Sequence, residues 1–423
     1  MNRNHVLSLR CAPIPIVRIA IIGLGIRGTK ALARLVEIPG VEIVALADLD
    51  EEAVRKASAL LPHQKVDYHT GTDAAFSCIE HTSADLLYIT TTWESHATIA
   101  TEGMKHGKHV AVEVPAAISI PEIWQLIETA EQTRKHCFML ENSVYDSFEL
   151  SMLNMAQSGL FGEIIHAKGG YVHNLHSQWL QHREDWRLAH NIARRGDLYP
   201  THGIAPLCLA MNIHRGDRLF RLVSMDASPK HTPQVLSSHY GEDFSRFANG
   251  DHTQTIIQTA KGRTLYIEHD VASYRPYSRS LQIVGTDGFA QKYPYPTLSL
   301  KPEYCEGISY SSTLHPELPD YLPSDKTEVV LQKYAHPILT PDIVEGIKHL
   351  KGHAPMSGIM DRRLIYCLQK GLPLDMDVYD MAEWCSIIPL SEESLRLGSV
   401  PIEIPDFTRG AWEILEKVDW HIS

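Results

Sequence analysis

Two proton-carrying side chains stand three residues apart in Tyr199-Pro200-Thr201-His202, and a histidine beside a tyrosine can take and return a proton near neutral pH. The segment reads as a loop ahead of a helix beginning near Pro206, because proline suits a first helical turn. On the residues alone two readings stand: acid–base chemistry, or a packed Tyr199 with His202 capping the helix. A second chemistry is written upstream. Gly23-Leu24-Gly25-Ile26-Arg27-Gly28 follows the apolar run Val17–Ile22 and precedes a helix predicted over Thr29–Val36. Its glycines allow a tight turn and the close approach of a pyrophosphate to the N–H groups of a helix start. The next apolar run, Val41–Ala47, ends in Asp48, twenty residues past Gly28. A carboxylate there accepts from both ribose hydroxyls of NAD and repels a 2′-phosphate. Strand, turn, helix, strand and acid in this order predict an NAD site; a Gly-rich turn in an ordinary α/β unit would leave Asp48 without a role.

The elements that must position these groups follow from periodicity. Helices are predicted over Glu51–Leu61, Asp73–Glu80, Ala97–His106 and Pro121–His136, and buried strands over Asp85–Thr90, His109–Val112 and Cys137–Leu140. Thr91–Ser95 reads as a loop. The alternation is that of a doubly wound parallel sheet, with ligand-bearing loops after its strands. Past Asn142 the pattern changes to a helix at Phe148–Gln157 and then strands at Ile164–His173, Leu219–Ala227, Thr253–Thr259, Leu265–Val271 and Ser280–Val284. Short turns between some of them suggest an open antiparallel sheet. The expected fold is α/β, with an NAD-binding Rossmann domain over residues 1–142 and a substrate-binding α+β domain over 143–423. Tyr293–Asp325 reads as a long surface loop, Val329–His349 and Met376–Ser386 as helices, and Ile402–Asp406 as irregular.

A chain of 423 residues exceeds one ordinary core, which favours two domains. The net charge of −12 argues against nucleic acid or an acidic membrane surface as partner. Seven scattered cysteines with no C-x-x-C pair read as buried thiols, neither a disulfide frame nor a zinc site. His173 and His176, near His182 and His190, invite a metal reading. Three-residue spacing on a strand turns two side chains to opposite faces, so no metal is assigned. No apolar run reaches the length of a membrane span. The first sixteen residues lack an apolar h-region, which reads as cytoplasmic as the sequence stands and exported if a leader has been removed.

An N-terminal dinucleotide domain followed by an open sheet resembles the Gfo/Idh/MocA oxidoreductase superfamily. Longer blocks resemble glycoside hydrolase family 109: Thr92-Trp93-Glu94-Ser95-His96, HVAVEVPAA at His109–Ala117, LENSVYDSFEL at Leu140–Leu150, and NMAQSGLFGEIIH at Asn154–His166. GDLYPTHGIAPLCLAMNIHRGDR at Gly196–Arg218, RPYSR at Arg275–Arg279 and GLPLDMDVYDMAEWCSIIPLSEES at Gly371–Ser394 extend the similarity. The resemblance implies an α-N-acetylgalactosaminidase with tightly held NAD. It also implies a mechanism: oxidation at C3 of the sugar, elimination across C1 and C2, water addition and re-reduction, without net redox. One departure separates this chain from the superfamily's dehydrogenases. Those carry Glu-Lys-Pro where this chain has Glu113-Val114-Pro115, and valine carries no proton.

By family position, Ile26, Arg27, Asp48, Trp93, Glu94, Ser95, His96, Glu113, Val114 and Asn142 join the glycines on the NAD side. Tyr171, Arg187, Tyr199, Pro200, Thr201, His202 and Tyr277 face the sugar. His202 is assigned to the C3 hydroxyl with Tyr199 close to it, and Tyr145 is the expected second proton carrier, its alternative being an aromatic packed between domains. The alternative for Arg187 is a surface ion pair with Glu184 or Asp185. The implied partner is a small-molecule or glycan-terminal sugar, and a homodimer through the C-terminal sheet is the superfamily's common arrangement. Two other readings compete: an NAD-dependent sugar or cyclitol dehydrogenase, against which Val114 argues, and a non-catalytic NAD-bound sugar sensor.

Overall fold

The computed structural model describes residues 4–62, 65–305 and 319–420. Six strands, β1 (Val17–Ile22), β2 (Val41–Asp48), β3 (Asp67–Thr70), β4 (Leu86–Ile89), β5 (His109–Val112) and β6 (Cys137–Met139), form a parallel sheet in the order β3-β2-β1-β4-β5-β6. The four residues of β4 and of β5 are all buried, as expected for parallel strands covered on both faces. The order reverses between β1 and β4, which puts the ligand crevice at the carboxyl ends of those two strands. The helix expected over Thr29–Val36 spans Ile26–Leu35, and Thr91–Ser95 is a loop only as far as Thr92. Thr92 takes an extended conformation as N-cap, so Trp93–Lys105 is helical and Trp93 through His96 make up its first turn.

The second sheet has eight strands: β7 (Ile164–Val172), β8 (Leu219–Asp226), β9 (Thr253–Thr259), β10 (Thr264–Asp270), β11 (Gln282–Gly285), β12 (Gly288–Gln291), β13 (Thr297–Leu300) and β14 (Ile402–Glu403). Their order is β13-β12-β11-β7-β10-β9-β8-β14. The sheet is mixed, because β7 and β10 pair in parallel while the other neighbours are antiparallel. β9 alternates buried and exposed positions along its length. The outer face on which the dimer expectation rests exposes Met225 and Ile256. Within the expected loop Tyr293–Asp325 lie β13 and a 3₁₀ turn at Pro302–Tyr304, and residues 306–318 fall outside the described residues. Val329–His349 resolves into two helices, Ser324–Lys333 and Pro341–Ile347; Pro341 starts the second as a first-turn proline, with Thr340 as its cap. Among the described residues no helix is long and apolar enough to cross a membrane. All seven cysteines are free, six of them buried and Cys11 partly so.

Two helices from the C-terminal part lock the sheets together. Val378–Arg396, started by an Asp377/Asp380 capping box, packs on β8, on β6 and on the helix Ile120–Thr133. Ala354–Lys370 lies against β1 and the helix Ile26–Leu35. There Asp361, fully buried, accepts from Arg34 Nε at 2.8 Å and from the Tyr88 hydroxyl at 2.9 Å.

The helix expected near Pro206 starts earlier, at Thr201, and runs to Ala210 with Pro206 inside it. A proline there has no N–H for the carbonyl four residues back, which is that of His202. The Ser143 hydroxyl donates to that carbonyl instead, at 3.1 Å. The same helix crosses β7 at a glycine contact: a Cβ on Gly203 would stand 2.2 Å from the Gly170 nitrogen, and one on Gly169 would stand 2.2 Å from the Gly203 oxygen. Backbone meets backbone there, so no side chain can give way. Gly203→Ala is therefore expected to destabilise the protein by about 1–3 kcal/mol, measured as a lower urea midpoint. An unchanged midpoint would mean that the crossing is looser than these distances require.

Candidate active site

On the cofactor side each glycine has a separate reason. Gly23 has φ +93°, and a Cβ on it would meet Thr90 backbone atoms at 2.7 Å; one on Gly28 would lie 1.9 Å from the Gly23 oxygen. Both serve tight packing. A Cβ on Gly25 would meet nothing within 4 Å, so space is left beside the start of the helix Ile26–Leu35, whose N-cap makes no side-chain hydrogen bond. Ile26 is 78% exposed at this rim. Asp48 braces the turn by accepting from the Leu24 and Asp50 N–H groups. The half-buried Glu113 lies at the end of β5, and its charge is the main cause raising the Arg27 pKa above its usual value. Asn142 donates to the Ser357 hydroxyl at 2.9 Å, while its buried Oδ1 has no hydrogen-bond partner. An open glycine cradle, an uncapped helix start, a carboxylate at the end of β2 and an orphaned acceptor at the end of β6 fit a dinucleotide.

His96 is buried with Nδ1 2.8 Å from the Pro115 oxygen and Nε2 3.0 Å from the Thr91 oxygen. Burial holds its pKa below the usual value. It ties the loop after β4 to the loop after β5, while Ser95 donates to the Thr91 hydroxyl. The Trp93 ring lies 6.0 Å from that of Tyr199, stacked on it, and 4.8 Å edge-on to Trp186. Glu94 pairs with His190 at 2.9 Å, and His190 also meets the Trp93 ring. Val114 is buried.

Tyr171, Tyr199 and His202, expected to face the sugar, form one cluster. Ring centroids are 4.6 Å apart for Tyr171 and Tyr199, 4.9 Å for Tyr199 and His202, and 6.0 Å for Tyr171 and His202. His202 lies in the first turn of its helix and does not cap it, while Tyr199 is buried and packed against Trp93, Tyr171 and His202. His202 Nδ1 is 2.6 Å from Oε1 of Glu141, a fully buried carboxylate. Burial pushes the Glu141 carboxyl up, but the adjacent imidazole and its hydrogen bonds outweigh this and hold it below the usual range. The pair can accept a proton at the imidazole with its positive charge already matched. Burial raises the Tyr199 and Tyr171 hydroxyls, partly opposed by Arg187, so both remain protonated donors at neutral pH.

Arg187 spreads its guanidinium over aromatic faces, 5.2 Å from the Trp186 and Tyr199 ring centres and 5.9 Å from that of Trp93. Asp185 meets it only through the backbone, capping the helix Trp186–Ala193 at the Arg187 and Leu188 N–H groups. Pro200 and Thr201 open the helix that carries His202, and the buried Thr201 hydroxyl helps hold the Glu141 carboxyl down. Tyr277 reaches the cluster through His173, 5.4 Å away edge-on, and touches His353 and Tyr293. Its segment is anchored by buried Arg279, which pairs with Glu149 at 2.6 Å and Asp146 at 2.9 Å. Tyr145, expected as the second proton carrier, is turned elsewhere. It is fully buried, donates to Asp375 Oδ2 at 3.1 Å and packs edge-on against Trp420, and Arg363 pairs with that Asp375 at 2.7 Å. Its contacts are those of the packed aromatic.

Glu141 stands in a ligand-bearing loop after a parallel strand, where ligand groups are expected, but nothing in the sequence pairs it with His202, 61 residues on. His173 and His176 part company: His173 Nδ1 meets the Tyr171 hydroxyl at 2.8 Å, whereas His176 Nε2 meets the Thr232 hydroxyl at 3.1 Å. Among the described residues His214, Asp377 and Asp380 bring ligand-type atoms within 4.8 Å of one another. The carboxylates there are already engaged, Asp377 with the Tyr379 and Asp380 N–H groups and Asp380 with Arg215.

The loop leading into Tyr199 is fixed from behind. The Asp197 N–H donates to Ser391 Oγ at 3.0 Å, and Arg194 pairs with Glu392 at 2.8 Å. Burial pushes the Asp197 carboxyl up to about 7 from 3.8. An acid with a raised folded pKa contributes stability that is fully present below its unfolded pKa and lost as pH rises through the folded one. Wild type should therefore lose on the order of a few kcal/mol relative to Asp197→Asn between pH 4 and pH 8. Parallel denaturation curves at the two pH values, differing by a constant, would refute this. Glu141→Gln keeps the shape of the His202 contact but removes the matching charge. It should lower kcat by about 10²–10⁴-fold with KM little changed, and steady-state kinetics on a glycoside would read both.

Residues 145–414 match the family model described as "Glycosyl hydrolase 109, C-terminal domain", and residues 17–141 match "Oxidoreductase family, NAD-binding Rossmann fold". A glycosyl hydrolase family 109 protein of Porphyromonas gingivalis is 47% identical over 97% of this chain and 89% of its own. An alpha-N-acetylgalactosaminidase of Bacteroides fragilis is 43% identical over 97% of this chain and 96% of its own. Among solved structures, apo scyllo-inositol dehydrogenase from Lactobacillus casei superposes with a TM-score of 0.65 at 12% identity, covering 93% of this chain and 99% of that one. Myo-inositol dehydrogenase from the same organism, in complex with NAD(H) and myo-inositol, gives 0.64 at 14%, with the same coverage. These two likenesses concern the fold alone. With both halves matched in sequence and relatives aligned over nearly the whole length, the chain is a glycoside hydrolase and belongs to glycosyl hydrolase family 109.

Proposed function

We propose that the protein binds NAD and cleaves α-N-acetylgalactosaminides through transient oxidation at C3 of the sugar. The observation that carries this reading is the buried Glu141–His202 pair, set beside Tyr199 and Tyr171, both of which lie within electrostatic reach of Arg27 in the glycine cradle. The 43% identical Bacteroides fragilis relative supports the sugar. Val114, where dehydrogenases of the superfamily carry a proton-handling lysine, supports proton traffic through other residues.

NAD supplies the hydride acceptor and donor for C3 when bound. Gly23, Gly25, Gly28 and the N–H groups that follow would hold its pyrophosphate, Asp48 a ribose, and Trp93, Glu113 and Asn142 the nicotinamide end. His202 takes the C3 hydroxyl proton, and Glu141 stabilises the imidazolium so formed. Tyr199 stays protonated and donates a hydrogen bond to the sugar. Arg187, with five donors in a planar fork, suits the acetamido carbonyl or a ring hydroxyl. Tyr171 and Tyr277 line the same side. Once C3 is a ketone, the C2 proton is acidic and the group at C1 can leave by elimination.

Hydrolysis of p-nitrophenyl α-N-acetylgalactosaminide in deuterated water, followed by NMR of the released sugar, tests this reading. The expected result is deuterium at C2 with no net NADH. No cleavage, with NADH accumulating on free sugars or cyclitols, would replace the reading with a dehydrogenase.

A further inference from the structure

Elimination needs a second proton route, because the proton from C2 cannot go to a His202 that already holds the one from the C3 hydroxyl. Tyr145, whose hydroxyl is committed to Asp375, does not supply it. One hydroxyl of the cluster has a base attached. Tyr171 is 5% exposed at the end of β7, and its hydroxyl lies 2.8 Å from His173 Nδ1. His173 keeps part of its surface in solvent, and its position is set by its own N–H, which donates to the Asp270 oxygen at 2.9 Å. Tyr277 meets it edge-on from a neighbouring segment. The charged and titratable groups around it are Arg187, His353 and His202, with Tyr171 and Tyr277 in ring contact. The part of the ring packed against its neighbours is withdrawn from water, and this first, then the nearby Arg187, holds the imidazole below its usual pKa, so near neutral pH its ring accepts from Tyr171.

We propose that His173 is the positioning and relay residue for Tyr171 in the transfer of the C2 proton, an inference that rests on the C3-oxidation reading above. The C2–H bond breaks and its electrons become the second bond between C1 and C2. The C1–O bond breaks with its electrons going to the leaving oxygen, which takes a proton from water. The C2 proton goes to Tyr171 Oη as the tyrosine's own proton moves to His173 Nδ1, where it exchanges with solvent. On the return, hydroxide from that water adds at C1, and the imidazolium gives its proton back through Tyr171 to C2. The chain thus keeps two routes apart: Glu141–His202, buried, for the C3 hydroxyl, and Tyr171–His173, open to water, for C2.

The test separates the two half-steps. Free N-acetylgalactosamine is added to the holoenzyme in deuterated water. Absorbance at 340 nm reports C3 oxidation by the bound cofactor, and NMR reports deuterium entering C2. His173→Ala should leave the 340 nm change within about twofold and slow C2 exchange by at least about tenfold. Added imidazole should restore exchange, with a pH dependence that follows the pKa of the imidazole used. His173→Asn, which can still accept from the Tyr171 hydroxyl but carries no proton, should remain slow. Exchange at the wild-type rate in both variants, full recovery in His173→Asn, or a 340 nm change that falls in step with exchange would overturn the role of His173. Wild-type enzyme that shows neither signal would instead overturn the C3-oxidation reading on which it rests.

Discussion

The structure turns on a double hold on one residue. His202 is fixed through its ring by Glu141 and through its carbonyl by Ser143, two neighbours at the carboxyl end of the last parallel strand. The carbonyl is available because Pro206 cannot use it, and the helix that carries it is pressed onto β7 at a glycine crossing. One short helix is thereby tied to the first sheet by hydrogen bonds and to the second by backbone contact. The distance between the glycine cradle and the proton carriers depends on these ties.

The electrostatics follow from that arrangement. A carboxylate with no exposed surface is costly to bury, and leaving one partner of a buried ion pair alone costs about 3–5 kcal/mol. Glu141 is compensated by the imidazole and by the Ser143 N–H at 3.1 Å. A lysine in place of Val114 would bring a third cation to a part of the molecule that already holds Arg27 and Arg187, both coupled to Tyr199. The side chain there is neutral and buried, and Arg187 lies across the aromatic faces of Trp93, Trp186 and Tyr199.

Much of this was legible in the chain. The parallel sheet followed from short apolar runs separated by amphipathic stretches, and the roles of Gly23, Gly25 and Gly28 from their spacing ahead of a helix. What was not legible depended on tertiary placement. Pro206 reads as a helix start because propensity places proline in a first turn, yet a hydroxyl 63 positions upstream compensates for it inside the helix (Ser143, bonded at His202). The parallel pairing of β7 with β10 leaves no local signal, since strand direction is set by connections and not by residue type. Tyr145 follows the strand end as a ligand group would, and only the positions of Asp375 and Trp420 show that it faces another way. The pairing of Tyr171 with His173 depends on where β7 ends and the chain turns.

The helix Ala354–Lys370 carries a consequence for how the molecule is made. Asp361 bonds Arg34 across 327 residues and Tyr88 across 273, and Ser357 bonds Asn142 across 215. Contacts of such separation form late, because their loop-closure entropy must be met before they contribute. During synthesis the first sheet can assemble as soon as its strands emerge, but Asn142 and the face of β1 wait for the helix Ala354–Lys370, made more than two hundred residues later. A nascent chain can therefore hold its parallel sheet well before residues 354–370 have been made, and the Asn142 end of that sheet acquires its partner Ser357 only once they are.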